Sequence, residues 1–195
     1  QSFLKKSFLV TGATGFIGAN VTRSLIFNNA NVHILVRKIS DKWRISEILK
    51  DVVQHQVDLS DIEKLKNIIP KIKPDFIIHC ATYGGHPYQK DIHKIYETNL
   101  QGTINLLDAL SEVDYRCFIN TGSSSEYGVK SKPMVEEDFL EPVNAYGASK
   151  ASATLFCQFL AKTQKRPIVT LRLFSPYGPY CEQPNRLIAG VIETC

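Results

Sequence analysis

The sequence has no cysteine pair at C-x-x-C spacing, and its five cysteines, at 80, 117, 157, 181 and 195, are odd in number and scattered. That pattern excludes both the disulfide framework of small secreted domains and a cysteine-rich zinc site, and a reducing, cytoplasmic setting is the expectation. No stretch approaches the ~18 consecutive apolar residues of a membrane-spanning helix. The N-terminal segment, Lys5-Lys6 and then Phe8-Leu9-Val10, imitates a signal peptide. Its apolar run stops at Thr11-Gly12, short of the ~7–15 residues such a segment needs. An excess of one charge is also missing: 23 basic and 19 acidic residues give +4, spread along the chain. There is no cationic stripe for nucleic acid and no basic amphipathic helix for a membrane surface, and the mild basicity suits an anionic small ligand. Internal repeats and low-complexity tracts are absent as well. At 195 residues and 44% hydrophobic content the chain suits one compact domain.

What is present is alternation. Apolar runs of four to six residues, predicted as strands over 7–11, 31–36, 52–57, 75–79, 117–121 and 168–173, are separated by helical-period stretches over 15–28, 61–69, 92–110 and 145–163. That order predicts an α/β, doubly wound parallel sheet. Runs such as Phe76-Ile77-Ile78 and Ile168-Val169 are apolar on consecutive residues, as strands covered by helices on both faces are. Right-handed crossovers leave few topologies, and the Rossmann order is the expected one. The Rossmann domain is predicted over 1–174. The segment 175–195, rich in proline and ending in a short amphipathic tail of Leu187-Ile188 and Val191-Ile192, reads as the start of a substrate-binding region. One long irregular stretch, 122–144, separates the fifth strand from the last long helix, and loops of that length in compact domains usually carry function.

Directly after the first strand, Gly12, Gly15, Phe16, Ile17 and Gly18 form a G-x-x-G-x-x-G turn that opens a helix. Gly12 permits the tight turn, Gly15 lets backbone approach a pyrophosphate, and Gly18 lets helix pack on strand; the helix N-terminus offers free N–H groups and partial positive charge. At the end of the second strand stand Arg37 and Lys38, where a site selective for NAD commonly carries an acidic residue for the ribose hydroxyls. Cations there suit a 2′-phosphate, so NADP is the expected cofactor and NAD the alternative.

Tyr146 and Lys150 lie four apart at the start of a helix, on one face. Lowering a phenol by three units from its usual ~10 requires ~4 kcal/mol. A unit charge at ~4 Å with an effective dielectric near ~20 supplies about that, so Tyr146 becomes a candidate general acid or base. Ser123, in Gly122-Ser123-Ser124-Ser125-Glu126-Tyr127-Gly128, leaves a strand at its carboxyl end, where ligands bind in open α/β sheets, and is placed to hydrogen-bond a reacting oxygen. Gly84 and its neighbours Gly85, His86, Pro87 and Tyr88 follow the fourth strand at the same edge and fit either a sugar pocket or an ordinary loop. His33, His55 and His79 lack ligand spacing and read as structural, and no metal site is expected.

Taken together, these residues resemble the extended short-chain dehydrogenase/reductases of the nucleotide-sugar epimerase/dehydratase family, along essentially the whole chain. The resemblance implies that Gly12, Gly15 and Gly18 hold the cofactor, that Asp58 and Leu59 lie near the adenine, and that Ala81 and Thr82, after His79-Cys80, lie beside ribose and pyrophosphate. Tyr146 is implied as catalytic acid/base, Lys150 as the residue that holds the nicotinamide ribose and tunes Tyr146, and Ser123 as its assistant. Ser124, Ser125 and Ser175 are implied substrate contacts, and Asn99 is implied as a structural helix residue. Members of the family continue well beyond this length into a substrate domain, so a chain of this extent is expected to hold cofactor without completing turnover. The two helices over 92–110 and 145–163 pack across a dimer interface in the family, and a homodimer is expected.

Three functions follow as expectations. The leading one is hydride transfer at C4 of a nucleotide-linked sugar, as 4-ketoreductase or 4-epimerase, with Arg37 and Lys38 favouring the NADPH-consuming reductase. A 4,6-dehydratase is disfavoured because Ser124 and Ser125 stand where such enzymes carry acidic residues. A non-catalytic dinucleotide sensor or scaffold is the reading from another class, and the intact Ser123, Tyr146 and Lys150 oppose it. Neither nucleic acid nor membrane is an expected partner.

Overall fold

A computed structural model describes residues 3–181, 188, 190 and 191. Leu187, Ile192 and Cys195 lie outside the described residues, as does most of the 175–195 segment. Six parallel strands form one sheet: β1 (Ser7–Thr11), β2 (Asn31–Val36), β3 (Val53–Gln56), β4 (Phe76–His79), β5 (Cys117–Ser123) and β6 (Ile168–Leu173), in the order β3-β2-β1-β4-β5-β6. This is the expected Rossmann order. The chain reverses direction of travel between β1 and β4, which pair with Val10 opposite Ile78. A crevice therefore opens at the carboxyl ends of these two strands.

Helices α1 (Phe16–Phe27), α2 (Ile62–Ile72), α3 (Ile92–Tyr96), α4 (Gly102–Ala109) and α5 (Ala145–Thr163) divide between the faces. On one face Leu9, Leu35, Ile77 and Phe118 of the sheet pack with Leu65 and Ile69 of α2, Leu106 and Leu107 of α4, and Cys157 and Leu160 of α5. On the other, Phe8, Val10, Ile34 and Val36 pack with Ala19 and Leu25 of α1 and with Ile45. Burying two faces explains why the central strands are apolar at consecutive positions. The edges behave differently. β3 is mostly exposed, and on β6 Val169 and Leu171 remain about half exposed, because an edge strand has a single neighbour and no helix of the described residues covers that side.

Four differences from the sequence reading have local causes. Residues Trp43–Asp51 form a 3₁₀ segment not foreseen in the gap between β2 and β3; Ile45, fully buried, anchors it with Ile48 and Leu49 against the α1 face. Helix α2 runs through Pro70 to Ile72, because Ile69 and Ile72 both reach the core and outweigh the hydrogen bond that proline cannot donate. The helix expected over 92–110 is continuous but contains a π-helical turn at Glu97–Gln101 between α3 and α4. Strand β5 extends to Ser123 and is followed by a 3₁₀ turn, Ser124–Glu126, so the irregular stretch starts later than expected. No helix among the described residues is long and apolar enough to cross a membrane.

Candidate active site

The glycine turn is built by close backbone approach. Gly12 has φ +66°, and a Cβ there would fall 2.6 Å from the Ala81 nitrogen, so the turn after β1 touches the turn after β4. The Gly15 N–H donates to the Gly12 carbonyl at 2.9 Å. A Cβ on Gly18 would lie 2.2 Å from the same carbonyl oxygen. The N-cap of α1 is Gly15, with no side-chain cap and no acidic residue in the first turn. Its first N–H groups therefore lack intrahelical acceptors and face the crevice, an arrangement suited to a phosphate.

Beneath this turn runs a buried polar relay. The Ala81 N–H donates to Thr11 Oγ1, and Thr11 Oγ1 lies 2.7 Å from His79 Nδ1. His79 Nε2 lies 3.0 Å from Thr103 Oγ1, which itself donates to the Asn99 carbonyl at 2.6 Å. The Thr103 proton is thereby committed, so Nε2 carries the donor proton and Nδ1 accepts from Thr11. The relay requires a neutral imidazole. Burial, with the nearby Lys150 charge as the second cause, pushes His79 down to about 3. Asn99, inside the π-helical turn, spends its whole amide on the site: Oδ1 accepts from the Tyr83 N–H and Thr82 Oγ1, while Nδ2 donates to the Tyr83 carbonyl and to Ser149 Oγ. Ser149 in turn donates to the Tyr146 carbonyl. The extra residue of the π turn thus ties the segment after β4 to the first turn of α5.

Helix α5 is capped by Asn144, whose Oδ1 accepts from the Gly147 N–H at 2.7 Å. Tyr146 is half-buried and Lys150, one turn on, is buried. Burial pushes the Lys150 ammonium below its ordinary value, and the Glu126 carboxylate is the foremost opposing influence. Gly84, at φ +96°, packs its backbone beside the Tyr146 ring, since a Cβ there would lie 3.4 Å from Cδ2. Ser123 Oγ accepts the Ser125 N–H at 3.1 Å. With that N–H on one lone pair, the hydroxyl proton is available to a ligand oxygen.

One cavity of about 1090 Å³ collects these groups. Its wall includes Gly12, Gly15, Phe16, Ile17 and Gly18, then Arg37, Asp58, Leu59, Ala81 and Thr82, and, at the other end, Gly84, Ser123, Ser124, Ser125, Tyr146, Lys150 and Ser175. Lys38 is the exception among the expected cofactor residues. It lies in the turn after β2, exposed and off the wall, whereas Arg37, also exposed, lines the cavity. Ser175 sits at φ +36°, a left-handed conformation that serine adopts at a cost.

Two residues passed over in the sequence belong to this neighbourhood. Arg44, on the 3₁₀ segment, lines the cavity and donates to the Tyr180 carbonyl at 3.0 Å. Glu126 does not face the cavity. Its side chain is 0% exposed; Oε1 accepts the Ser123 N–H at 2.8 Å and Oε2 pairs with Arg172 Nε at 3.1 Å. The pattern Ser123-x-x-Glu126 is the sequence signature of a capping box and could have located it. Among the described residues no cluster of three metal-ligating side chains occurs.

The family model for NAD-dependent epimerases/dehydratases matches residues 8–195. The chain belongs to that family. Among curated relatives of the family, a UDP-glucose 4-epimerase of Oryza sativa is 28% identical over 95% of this chain and 50% of its own length. A dTDP-D-glucose 4,6-dehydratase of Dictyostelium discoideum is 29% identical, over 98% of this chain and 48% of its own. The chain spans about half the length of the curated relatives it matches. Among solved structures, the UDP-glucuronic acid 4-epimerase of Bacillus cereus, in complex with UDP-glucuronic acid and NAD, is 27% identical with a TM-score of 0.81, over 96% of this chain and 62% of that one.

Proposed function

We propose that this chain is the dinucleotide-binding and catalytic half of an enzyme that transfers hydride at C4 of a nucleotide-linked sugar, as a 4-epimerase or 4-ketoreductase. The observation that carries the reading is the shared cavity, with a pyrophosphate-sized glycine turn at one end and Ser123, Tyr146 and Lys150 at the other. The residues fit a nicotinamide dinucleotide. The uncapped α1 N-terminus and Gly12–Gly18 backbone would take the diphosphate, Asp58 and Leu59 would flank the adenine, and Lys150 would hold the nicotinamide ribose. When bound there, the dinucleotide supplies the hydride chemistry. Tyr146 exchanges a proton with the C4 oxygen, Ser123 donates a hydrogen bond to that oxygen, and the buried Lys150 charge favours tyrosinate.

Arg37 on the cavity wall supports NADP, whereas the Bacillus cereus relative holds NAD. Comparing the protein's affinities for NADPH and NADH, with Arg37→Ala as control, decides between them; a preference for NADPH that survives Arg37→Ala removes the argument from this residue. Dehydration is disfavoured because Ser124 and Ser125 follow Ser123 and the next carboxylate, Glu126, is enclosed and already paired. The direct test incubates the full-length gene product with NADPH and a panel of 4-keto nucleotide sugars, and with NAD+ or NADP+ and the parent nucleotide sugars, following cofactor absorbance and sugar NMR. Net NADPH loss marks a reductase and inversion without loss an epimerase. Tyr146→Phe is expected to lower kcat by about 10²–10⁴ with cofactor affinity retained; undiminished turnover removes the assignment.

A further inference from the structure

A carboxylate with no solvent contact is expensive to bury, and an apolar residue of similar volume is usually no worse for stability. Glu126 is such a carboxylate, one turn from Ser123 and outside the cavity. Its two oxygens are divided between the catalytic serine's N–H and Arg172. We propose that Glu126, braced by Arg172, is a positioning residue that fixes the spacing between the Ser123 hydroxyl and the Tyr146 phenol. The proposal rests on the assignment of Ser123 and Tyr146 made above.

The mechanical path is short. Glu126 Oε1 holds the Ser123 backbone extended at φ −147°, and within the same turn the Ser125 N–H holds Ser123 Oγ. The carboxylate lies directly over Gly122, where a Cβ would meet Oε1 at 2.6 Å, so its seat against β5 depends on the missing side chain there. The other side of the turn bears on α5: a Cβ at Gly147 would lie 2.4 Å from the Ser125 carbonyl oxygen. Gly147 adjoins Tyr146, so any shift of the Ser124–Glu126 turn is passed to the helix start that carries the phenol. Arg172 holds the carboxylate from β6 and also donates to the Tyr127 hydroxyl at 2.7 Å and the Glu136 carbonyl at 3.0 Å. One ion pair, its carboxylate fully enclosed, therefore joins the ends of β5 and β6, the loop after the 3₁₀ turn and, by contact, α5.

Glu126→Gln is the informative variant, because its amide oxygen can still accept the Ser123 N–H while its NH₂ confronts Arg172 without a charge to pair. Glu126→Gln/Arg172→Gln, which replaces the ion pair by two neutral amides, guards against an unstable single variant. Amide hydrogen exchange on the protein needs no substrate. The expected result for either variant is lost protection in residues 121–127 and also in 145–149, with β1 and β2 unchanged. Loosening confined to 121–127, or none at all, overturns the proposal.

Turnover on a sugar identified with the panel provides the second readout. In Glu126→Gln, kcat falls by about 10–100-fold, the scale of a misplacement near 1 Å, while KM and cofactor affinity hold within about threefold. In a Ser123→Ala background the same substitution costs severalfold less than in the wild type, because one end of the spacing it sets has already been removed. Effects that multiply, or a fall in stability without a fall in kcat, overturn the proposal. Full turnover by Ser123→Ala or Tyr146→Phe removes instead the site assignment beneath it, a result distinguishable because the exchange data stand apart.

Discussion

Gly18 sets the tightest contact at the site. Its α-carbon packs so close to the glycine turn that a methyl group would lie 2.2 Å from the Gly12 oxygen and 2.7 Å from the Gly12 carbonyl carbon. Both obstacles are backbone, which cannot rotate aside, so Gly18→Ala must push α1 away from β1. The expected effect is a loss of about 1–3 kcal/mol in stability and at least about tenfold weaker dinucleotide binding, read by urea denaturation and by fluorescence titration with NADPH. Unchanged binding sinks the idea that this packing shapes the phosphate site. Gly12, Gly15 and Gly18 were legible in the sequence because their roles are satisfied within one turn, and Tyr146 and Lys150 because one helical turn separates them. The Glu126–Arg172 pair was not, since the two are 46 positions apart and only the β5–β6 pairing makes them neighbours. Lys38, in the turn after β2, lies off the cavity wall that Arg37 lines, a difference that the path of the turn decides and local pattern does not.

Elements were legible where apolar period and length agreed, and less so where tertiary contacts made the decision. All six strands and the long helices follow the periodic runs, but nothing local announces the π-helical turn, whose reward is the Asn99 bridge to Thr82, Tyr83 and Ser149. The 3₁₀ segment has apolar residues at the spacing of Ile45, Ile48 and Leu49, but spans only nine residues and buries only Ile45 fully. The β4 strand end carries a measurable consequence through His79. Its imidazole is held at about 3 in the fold and titrates near ~6.5 in the unfolded chain. As pH falls below ~6.5 the unfolded state takes up this proton first, so stability declines with acid, by about 1.4 kcal/mol per pH unit from this group, until the folded value is passed. His33 and His55, both lowered chiefly by burial, add to the loss just below ~6.5. Urea midpoints measured from pH 7 to 4 should fall, and His79→Gln should flatten the dependence by about one proton. An equal slope in the variant means that His79 is not held neutral.

At the scale of the molecule the fold was legible from the strand–helix alternation, because a parallel sheet covered on two faces admits few arrangements. The expected homodimer rested on the family resemblance, since periodicity and charge do not mark which surface meets a partner. Leu155 and Phe159 are one turn apart on α5 and 56% and 51% exposed; Ile92, at the start of the neighbouring α3, is 58% exposed. Isolated exposed apolar residues are ordinary, but Leu155 and Phe159, four apart on α5, form an apolar patch on one face of that helix whose burial favours association. A homodimer through α3 and α5, the helices on which the sequence resemblance leads one to expect an interface, is the proposal. The chain has a mass of 21.9 kDa, so sedimentation equilibrium at micromolar concentration should give twice that value. Phe159→Glu places a charge in the middle of the patch, where pairing would bury it without a counter-ion, and should return the mass to 21.9 kDa while the helical circular dichroism is kept. A wild-type protein that sediments as a single chain removes the dimer. One that remains paired after Phe159→Glu moves the interface to another face.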